Sequence, residues 1–197
     1  MERCHNCGEH KNVELGFCCT LYEKIDIARV QCLNECVEGT GATVFKRWEE
    51  RLDRTKFVES DIDPELLFNI PFTGNVKLKS IIVIADEESQ PNTVRLFKNR
   101  PNMAFDNVNS PDQEFHLHMD PHGLDEYPVK TVKFSSIHHL SLHFSGVGEQ
   151  IRIYYIGLRG EWTPPQNHGV TICTYETRPL ITDHVGDFST VSNTHIK

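Results

Sequence analysis

Long apolar stretches are missing from this sequence, which argues against membrane-spanning helices. Such a helix needs roughly 18 or more consecutive apolar residues, and no segment here approaches that length. Met1–His5 also lacks the apolar run of a secretory signal. We therefore expect a cytoplasmic and nuclear protein without a membrane partner.

Clustered basic charge is also scarce. The chain holds 20 Lys and Arg against 28 Asp and Glu, and its formal net charge is -8 at pH 7. Nucleic-acid binding depends on clustered basic residues that displace counterions from phosphates, so we expect no nucleic-acid partner. The densest basic segment is interleaved with Glu49, Glu50 and Asp53, and we interpret it as a solvated face. Its basic members are Lys46, Arg47, Arg51, Arg54 and Lys56.

Catalytic sequence patterns are absent as well. The chain has no Gly-x-Ser-x-Gly elbow, and Gly157–Gly160 lacks the Gly-Lys-Ser/Thr of a phosphate loop. Cys173 lies in a strand-like segment, where a thiol usually behaves as a small core residue. These absences predict a protein that is not an enzyme.

The cysteines pose a separate question. There are seven, an odd number that fits reduced thiols better than a disulfide framework. Cys4 and Cys7 form a CxxC pair, but a redox pair should follow a strand and cap a helix. For zinc, the candidate ligands are Cys4, Cys7 and His10, completed by Cys18, Cys19, Cys32 or Cys36. Because no second CxxC exists, a polar arm without a cofactor is the favoured interpretation.

Short β-type runs separated by turn residues dominate the middle of the chain. Val76–Ala85 alternates and then becomes continuously apolar, as expected of a strand entering a sandwich core. Six more runs follow: Thr93–Phe97, Phe115–Met119, Val129–Phe134, Ile137–Ser145, Gln150–Leu158 and Val170–Tyr175. Their connections are too short for crossover helices, so the pairing should be mainly antiparallel. The pattern predicts an all-β sandwich or jelly roll with little helix.

Two segments carry weak helical signals. Thr20–Leu33 has apolar residues at roughly helical spacing, although Ile27 and Val30 interrupt the stripe. Asp63–Glu65 resembles a helix cap with a first-turn proline. The same acids begin like a calcium loop, but Leu66 stands where such a loop needs glycine. Thr20–Leu33 is therefore the best candidate for a helix, and a short helical piece is expected to begin at Asp63–Glu65.

Histidines alternate with apolar residues on two predicted strands. His116 and His118 share one face of their strand, and His139, Ser141 and His143 share one face of another. Paired histidines at this spacing can bind a metal, but no carboxylate pattern identifies an orienting partner. We interpret both faces as solvated or partner-facing surface.

The two ends of the chain differ from its middle. Residues 1–19 combine Cys and His with little apolar periodicity, and residues 178–197 are rich in Thr, Ser, Asp and His. We expect an N-terminal arm over 1–19, one domain over 20–177 and a flexible tail over 178–197. The chain is expected to be a monomer.

Several segments resemble the PITH domain, the C-terminal module of proteasome-interacting thioredoxin-like proteins, which also occurs alone. The most specific are ELLFNIPFTGNVKL at residues 65–78 and YIGLRGEW at residues 155–162. Further matching segments are Ile25–Asp26, Gln31–Glu35, Phe45–Arg51, Lys56–Asp63 and Val170–Glu176. The resemblance implies a galactose-binding-like jelly-roll β-sandwich. It also implies association with the regulatory particle of the 26S proteasome, a role of the thioredoxin-fused relatives, and it transfers no binding residues.

Three functions remain open at this point. The resemblance and the missing catalytic patterns favour a protein-binding adaptor, with the proteasome or another intracellular protein as partner. The sandwich type and two tryptophans, Trp48 and Trp162, allow a small-ligand or carbohydrate-binding module. The third is zinc binding through the Cys4, Cys7 and His10 arm.

Overall fold

A computed structural model of the protein describes residues 19–165. This part of the chain contains eight β-strands, and its helical structure is confined to 3-10 turns. The strands are β1 (Gln31–Leu33), β2 (Val58–Glu59), β3 (Glu65–Ala85), β4 (Pro91–Lys98), β5 (Gln113–His116), β6 (Tyr127–Pro128), β7 (Ile137–Gly146) and β8 (Arg152–Thr163). The 3-10 turns are Tyr22–Lys24, Ile27–Arg29, Thr40–Val44, Trp48–Glu50 and Phe105–Asn107.

Strand β3, at 21 residues, links the two halves of one eight-stranded hydrogen-bonded sheet. Its first half pairs with β1 and β7, and β4 and β5 follow beyond β7. Its second half pairs with β6 and β8, and β2 lies beyond β8. The register breaks between Pro71 and Val76, where the strand passes from one ladder to the other. All pairings are antiparallel, as predicted. This part of the strand requires Gly74, because a Cβ there would lie 2.5 Å from the Thr163 carbonyl oxygen.

The central core lies between the inner faces of the two halves of the sheet. Alternate residues of β3, such as Leu66, Phe68 and Ile70, point into it. The Phe68 ring makes edge contacts with Phe144 of β7 and Phe45, at centroid distances of 5.7 and 6.0 Å. Such ring pairs contribute about 0.5–1.5 kcal/mol beyond the burial of their area.

A second apolar cluster covers the outer face of the β3–β8 ladder. Register shifts between Leu78 and Ser80 and between Ile84 and Ala85 interrupt the strict alternation. Ile82 and Ile84 therefore face outward, where Trp48 and Phe57 pack over them together with Tyr154 and Tyr155. The apolar run that predicted a core strand is thus buried on both faces.

The third cluster lies beneath the loop of residues 99–112. Leu67 of β3 and Phe97 of β4 project from the outer face of the half of the sheet that contains β7. Both contact Met103 and Val108 of the loop. The prediction of an exposed strand face at Ser141 and His143 is wrong. Both side chains are buried, because the loop returns across the strand.

Both predicted helical pieces are wrong. Residues 20–33 form two 3-10 turns followed by β1, since backbone groups of Leu21 and Asp26 donate to the carbonyls of Leu158 and Pro71 instead of closing an α-helix. Glu65 opens strand β3 rather than a helix. The residues that follow it are buried on both faces, and this burial overrides the cap signal.

Among the predicted strands, Val129–Phe134 is also wrong. The pairing residues are Tyr127 and Pro128 of β6, and the Lys130 carbonyl accepts from Lys133 and Phe134 in a turn. The strand predicted at Val170–Tyr175 lies outside the described residues. Of the predicted strand Phe115–Met119, only Phe115 and His116 lie in β5. The other predicted strands within the described residues are present, and the all-β fold class is confirmed.

Candidate functional site: an acidic loop end

Three loops far apart in sequence meet at one end of the domain. They span residues 60–64, 86–90 and 146–151 and are defined here as the acidic loop end. Backbone hydrogen bonds join them: Ser60 N donates to Ile151 O over 3.0 Å, Gly146 N to Pro64 O over 2.9 Å, and Arg152 N to Ser89 O over 2.8 Å. The Ser60 hydroxyl is completely buried and accepts from Ile151 N at 2.9 Å. These bonds fix the loops relative to one another.

The charge of the acidic loop end has one sign. Its three loops contain six carboxylates and no Lys, Arg or His: Asp61, Asp63, Asp86, Glu87, Glu88 and Glu149. All are exposed except Asp86, which is half-buried. Asp86 accepts a hydrogen bond from the Tyr154 hydroxyl at 2.7 Å, so this carboxylate is held in place. The others face solvent and create a negative local field.

Two apolar side chains project from the same loops. Ile62 is 79% exposed and Val147 is 85% exposed. Protein interfaces combine apolar contacts with a polar rim, and charge of one sign steers an oppositely charged partner. The acidic loop end therefore combines negative charge with exposed apolar surface.

Asn34 holds the first of these loops in shape. Its backbone adopts a left-handed conformation, with φ of 66°, which asparagine tolerates better than most residues. The side-chain amide donates to the carbonyls of Asp63 and Glu65 at 2.9 and 2.7 Å. Its oxygen accepts from Ile62 N at 3.3 Å. One side chain thus fixes the Asp61–Asp63 loop against β1.

A groove opens beside the acidic loop end. It has a volume of about 330 Å³, and we define it by its lining residues: Cys36, Val37, Thr40, Thr43, Thr55, Lys56, Phe57 and Glu59. It is joined to the acidic loop end through Cys36 N, which donates to Glu59 O at 2.8 Å, and through a bridge between Glu35 and Ser60. The groove and the loops therefore form a continuous surface.

Most of the proposed zinc ligands lie outside the described part of the chain. They are Cys4, Cys7, His10 and Cys18. Within residues 19–165, no group of three or more His, Cys, Asp or Glu has the arrangement of a metal site. Of the completing ligands proposed, Cys19, Cys32 and Cys36 lie within the described residues; Cys19 and Cys32 are half-buried there and Cys36 is exposed.

The strand histidines lie in different environments. His116 and His118 are exposed, as predicted. His143 is only 1% exposed, and its Nε2 lies 3.2 Å from Glu65 Oε2. Burial lowers the pKa of His143, and the hydrogen bond to Glu65 opposes that effect. His143 is therefore a buried structural residue rather than a surface one.

Lys46 is buried, although the sequence predicted it to be exposed. It was assigned to a solvated basic face, but it is 4% exposed. Its Nζ donates to the carbonyls of Asp53 and Lys56 at 2.7 and 2.8 Å. The prediction for Lys46 is wrong because a charge pattern does not show which long side chain folds inward. Arg47, Arg54 and Lys56 are exposed, as expected.

The two tryptophans are half-buried and engaged by cations. The guanidinium carbons of Arg51 and Arg159 lie 4.0 and 4.7 Å from the Trp48 ring centroid. Lys24 Nζ lies 4.6 Å from the Trp162 ring centroid. A sugar stacking on either ring would compete with these cations.

In the part of the chain that the structure describes, no helix has the length and apolar character needed to cross a bilayer.

Comparisons with known proteins agree on family and fold. The PITH domain model matches residues 13–179. PITH domain-containing protein 1 of Danio rerio is 53% identical over 180 residues, covering 89% of this chain and 86% of the relative. PITH domain-containing protein 1 of Homo sapiens is 52% identical over 186 residues, covering 92% and 88%.

A solved structure supports the sandwich assignment. It contains the CBM32-1 and CBM32-2 domains of Clostridium perfringens ZmpB in complex with GalNAc and matches with a TM-score of 0.50 at 10% identity. The match covers 71% of this chain and 35% of that one, and at this identity it concerns the fold alone. The fold is a galactose-binding-like β-sandwich, and the chain belongs to the PITH domain family.

Proposed function

We propose that this PITH domain is a non-enzymatic protein-binding module that docks an intracellular partner through the acidic loop end. The observation that carries the proposal is the meeting of three loops with six carboxylates, no basic residue and two exposed apolar side chains, Ile62 and Val147. The carboxylates attract a basic surface, and the apolar side chains supply contacts that exclude water.

The regulatory particle of the 26S proteasome is the first partner to test, in the cytoplasm and nucleus. The resemblance to proteasome-interacting thioredoxin-like proteins supports this choice at family level. The negative charge of the acidic loop end adds a requirement, because the docking site on the partner must be basic. Binding should therefore weaken as salt screens the attraction.

The direct experiment measures binding of the full-length chain to purified proteasome regulatory particle across a salt series. The test variant combines Glu87→Lys with Glu88→Lys, both exposed in the acidic loop end. Its matched control combines Glu49→Lys with Glu50→Lys, an exposed acidic pair in the 3-10 turn Trp48–Glu50. Both variants change the net charge equally.

We expect the Glu87/Glu88 variant to bind at least about tenfold more weakly, with a shallower salt dependence, because several carboxylates act on one partner surface. The control should bind like the wild type. Equal losses in both variants would mean that net charge alone matters, and no loss in either would exclude the acidic loop end as the docking surface. If the wild type does not bind, the proteasome is not the partner.

The carbohydrate alternative lacks a supporting observation in this chain. The GalNAc complex belongs to a structural neighbour that is 10% identical. The aromatic rings that suggested sugar stacking, Trp48 and Trp162, are already in contact with cations. A glycan array on the full-length chain tests this alternative, and specific binding to one glycan class would revive it.

A further inference from the structure

The groove beside the acidic loop end has an apolar interior although three of its lining residues are threonines. The Thr40 hydroxyl donates to Val37 O at 2.7 Å, and the Thr43 hydroxyl donates to Thr40 O at 2.7 Å. The Thr55 hydroxyl donates to Asp53 Oδ1 at 2.6 Å. Because these donors already have partners within the protein, an apolar side chain entering the groove would leave none of them unpaired.

The walls of the groove add further apolar surface. Val37 is 61% exposed and Phe57 is half-buried. The Phe57 ring is held by an edge contact with Tyr154, with centroids 6.1 Å apart, and by the Arg152 guanidinium at 4.8 Å. Arg152 in turn pairs with Glu59 at 2.8 Å, so the charges at this wall neutralise each other.

The 3-10 turn Thr40–Val44 also lines the groove, and hydrogen bonds within the protein hold it in place. The Glu35 carboxylate accepts from Gly39 N at 2.7 Å and from Gly41 N at 2.6 Å. Gly41 packs against Cys32 so closely that a Cβ would lie 2.3 Å from the Cys32 Cβ. A preformed groove binds with a smaller loss of conformational entropy.

The groove lining carries charges of both signs. Lys56 is exposed, and Glu59 is followed along the chain by Ser60 and Asp61 of the acidic loop end. Glu38 is also exposed and adjoins Val37. A second copy of the chain would bring another net charge of -8 against this region, which disfavours self-association.

We propose that the groove takes an apolar anchor side chain of a partner segment whose neighbouring basic residues lie on the acidic loop end. The inference rests on the proposed function and specifies its partner as an apolar–basic peptide segment.

The test uses labelled peptides of about ten residues, which span about 33 Å when extended. One series carries a leucine anchor followed by arginines, a second replaces leucine by serine, and a third replaces the arginines by glutamates. The protein is the full-length chain, either wild type, Val37→Glu or Val132→Glu. Val132 is the matched control, because it is 90% exposed and receives the same added charge outside the groove.

We expect the leucine–arginine peptides to bind the wild type and the Val132→Glu variant equally, and the Val37→Glu variant about tenfold more weakly. The added carboxylate should attract arginine, so weaker binding reports lost apolar contact. Serine or glutamate replacement should also cost about tenfold or more. The inference is overturned if Val37→Glu and Val132→Glu bind the leucine–arginine peptides equally. It is also overturned if the glutamate peptides bind the wild type as tightly as the arginine peptides do, or if no peptide binds.

Alkylation of Cys36 gives a second readout that needs no substitution. Cys36 is exposed and lines the groove, whereas the half-buried Cys32 serves as an internal control. Bound leucine–arginine peptide should slow alkylation of Cys36 in peptide-resolved mass spectra. If Cys36 is already protected in the free chain, the groove is not open to a partner and the inference is overturned.

The two proposals fail in distinguishable ways. If Glu87→Lys/Glu88→Lys weakens partner binding while Val37→Glu does not, the acidic loop end remains the docking surface and only the groove inference is lost. If both variants bind the partner normally, both proposals fail.

Discussion

A buried ammonium group needs acceptors inside the protein, and Lys46 finds them in two backbone carbonyls. Its Nζ donates to Asp53 O and Lys56 O, and burial lowers the pKa of Lys46. The segment between these carbonyls leads into the apolar wall formed by Phe57. Lys46 therefore links the loop before β2 to the body of the domain.

Replacing Lys46 by methionine should reduce the free energy of unfolding by about 2 kcal/mol, because both carbonyls lose their donor. Urea denaturation measures the change. Lys56→Met is the matched control, since Lys56 is exposed, and it should stay within about 0.5 kcal/mol of the wild type. Identical midpoints for the two variants would contradict the structural role of Lys46.

His143 makes the stability of the domain depend on pH. Burial lowers its pKa from the ordinary value of 6.5, against the opposing effect of Glu65 on β3. Arg95 on β4 also disfavours the protonated form, and Glu114 on β5 favours it. Because the unfolded chain then takes up a proton at higher pH than the folded chain, stability is complete above about pH 6.5 and declines as the pH falls below it.

The His143→Gln variant should therefore lose part of this decline. Each tenfold change in the proton-dissociation constant on folding corresponds to about 1.4 kcal/mol. Urea midpoints between pH 7.5 and 5 measure the slope, and His138→Gln serves as the control at an exposed histidine of the same strand. His139 also has a pKa lowered by burial, so some slope should remain. A slope unchanged in His143→Gln would refute the role of this residue.

At the scale of elements, the loop of residues 99–112 depends on one buried amide. Asn69 Nδ2 donates to Met103 O at 3.0 Å, and Asn69 Oδ1 accepts from Met103 N at 3.2 Å and from the Ser141 hydroxyl at 2.9 Å. Asn69 is 2% exposed and lies on the outer face of β3. It holds the loop over His143, whose ring lies 5.9 Å from that of Phe105.

Substituting Asn69 by alanine should lower stability by about 2 kcal/mol, since the Met103 backbone loses both partners. Amide hydrogens of residues 103–108 should exchange faster than those of β8, because the loop opens locally before the domain unfolds. Hydrogen exchange read by mass spectrometry gives the comparison. Asn109→Ala, at an exposed position of the same loop, should leave both quantities unchanged.

The sequence predicted strands better than turns or helices at this scale. Alternation in Ile137–Ser145 and the apolar run in Val76–Ala85 are local features, and both segments are strands. The helical spacing in Thr20–Leu33 was equally local but wrong, because Leu21 and Asp26 bond to distant strands. Such long-range bonds leave no periodic signature in the sequence, so the helix prediction could not detect them.

At the scale of the whole molecule, the expectation of an N-terminal arm without bound zinc stays a prediction. Cys4, Cys7 and His10 lie outside the described residues. We expect less than about one equivalent of zinc in untagged protein, because the sequence has no second CxxC to complete a structural site. Elemental analysis of the wild type and of a Cys4→Ser/Cys7→Ser variant measures it. One full equivalent in the wild type that is lost in the variant would assign the arm a zinc site.

The candidate site could be predicted only in fragments. The acids at Asp61–Asp63, Asp86–Glu88 and Glu149 are visible in the sequence. Their convergence is not, because it depends on backbone bonds such as that between Gly146 and Pro64, which are 82 positions apart in the numbering. The resemblance to the PITH family indicated a binding role without naming a surface.

The sequence by itself determined the antiparallel β-sandwich and the family, because alternation and turn residues act between near neighbours and the family motifs are contiguous. Tertiary structure alone decided which polar residues are buried, as for Lys46, Asn69 and His143. It also decided that separate acidic loops form one end of the domain. The physical reason is that burial and local charge depend on chain segments returning from far along the sequence, which the residues around each position do not encode.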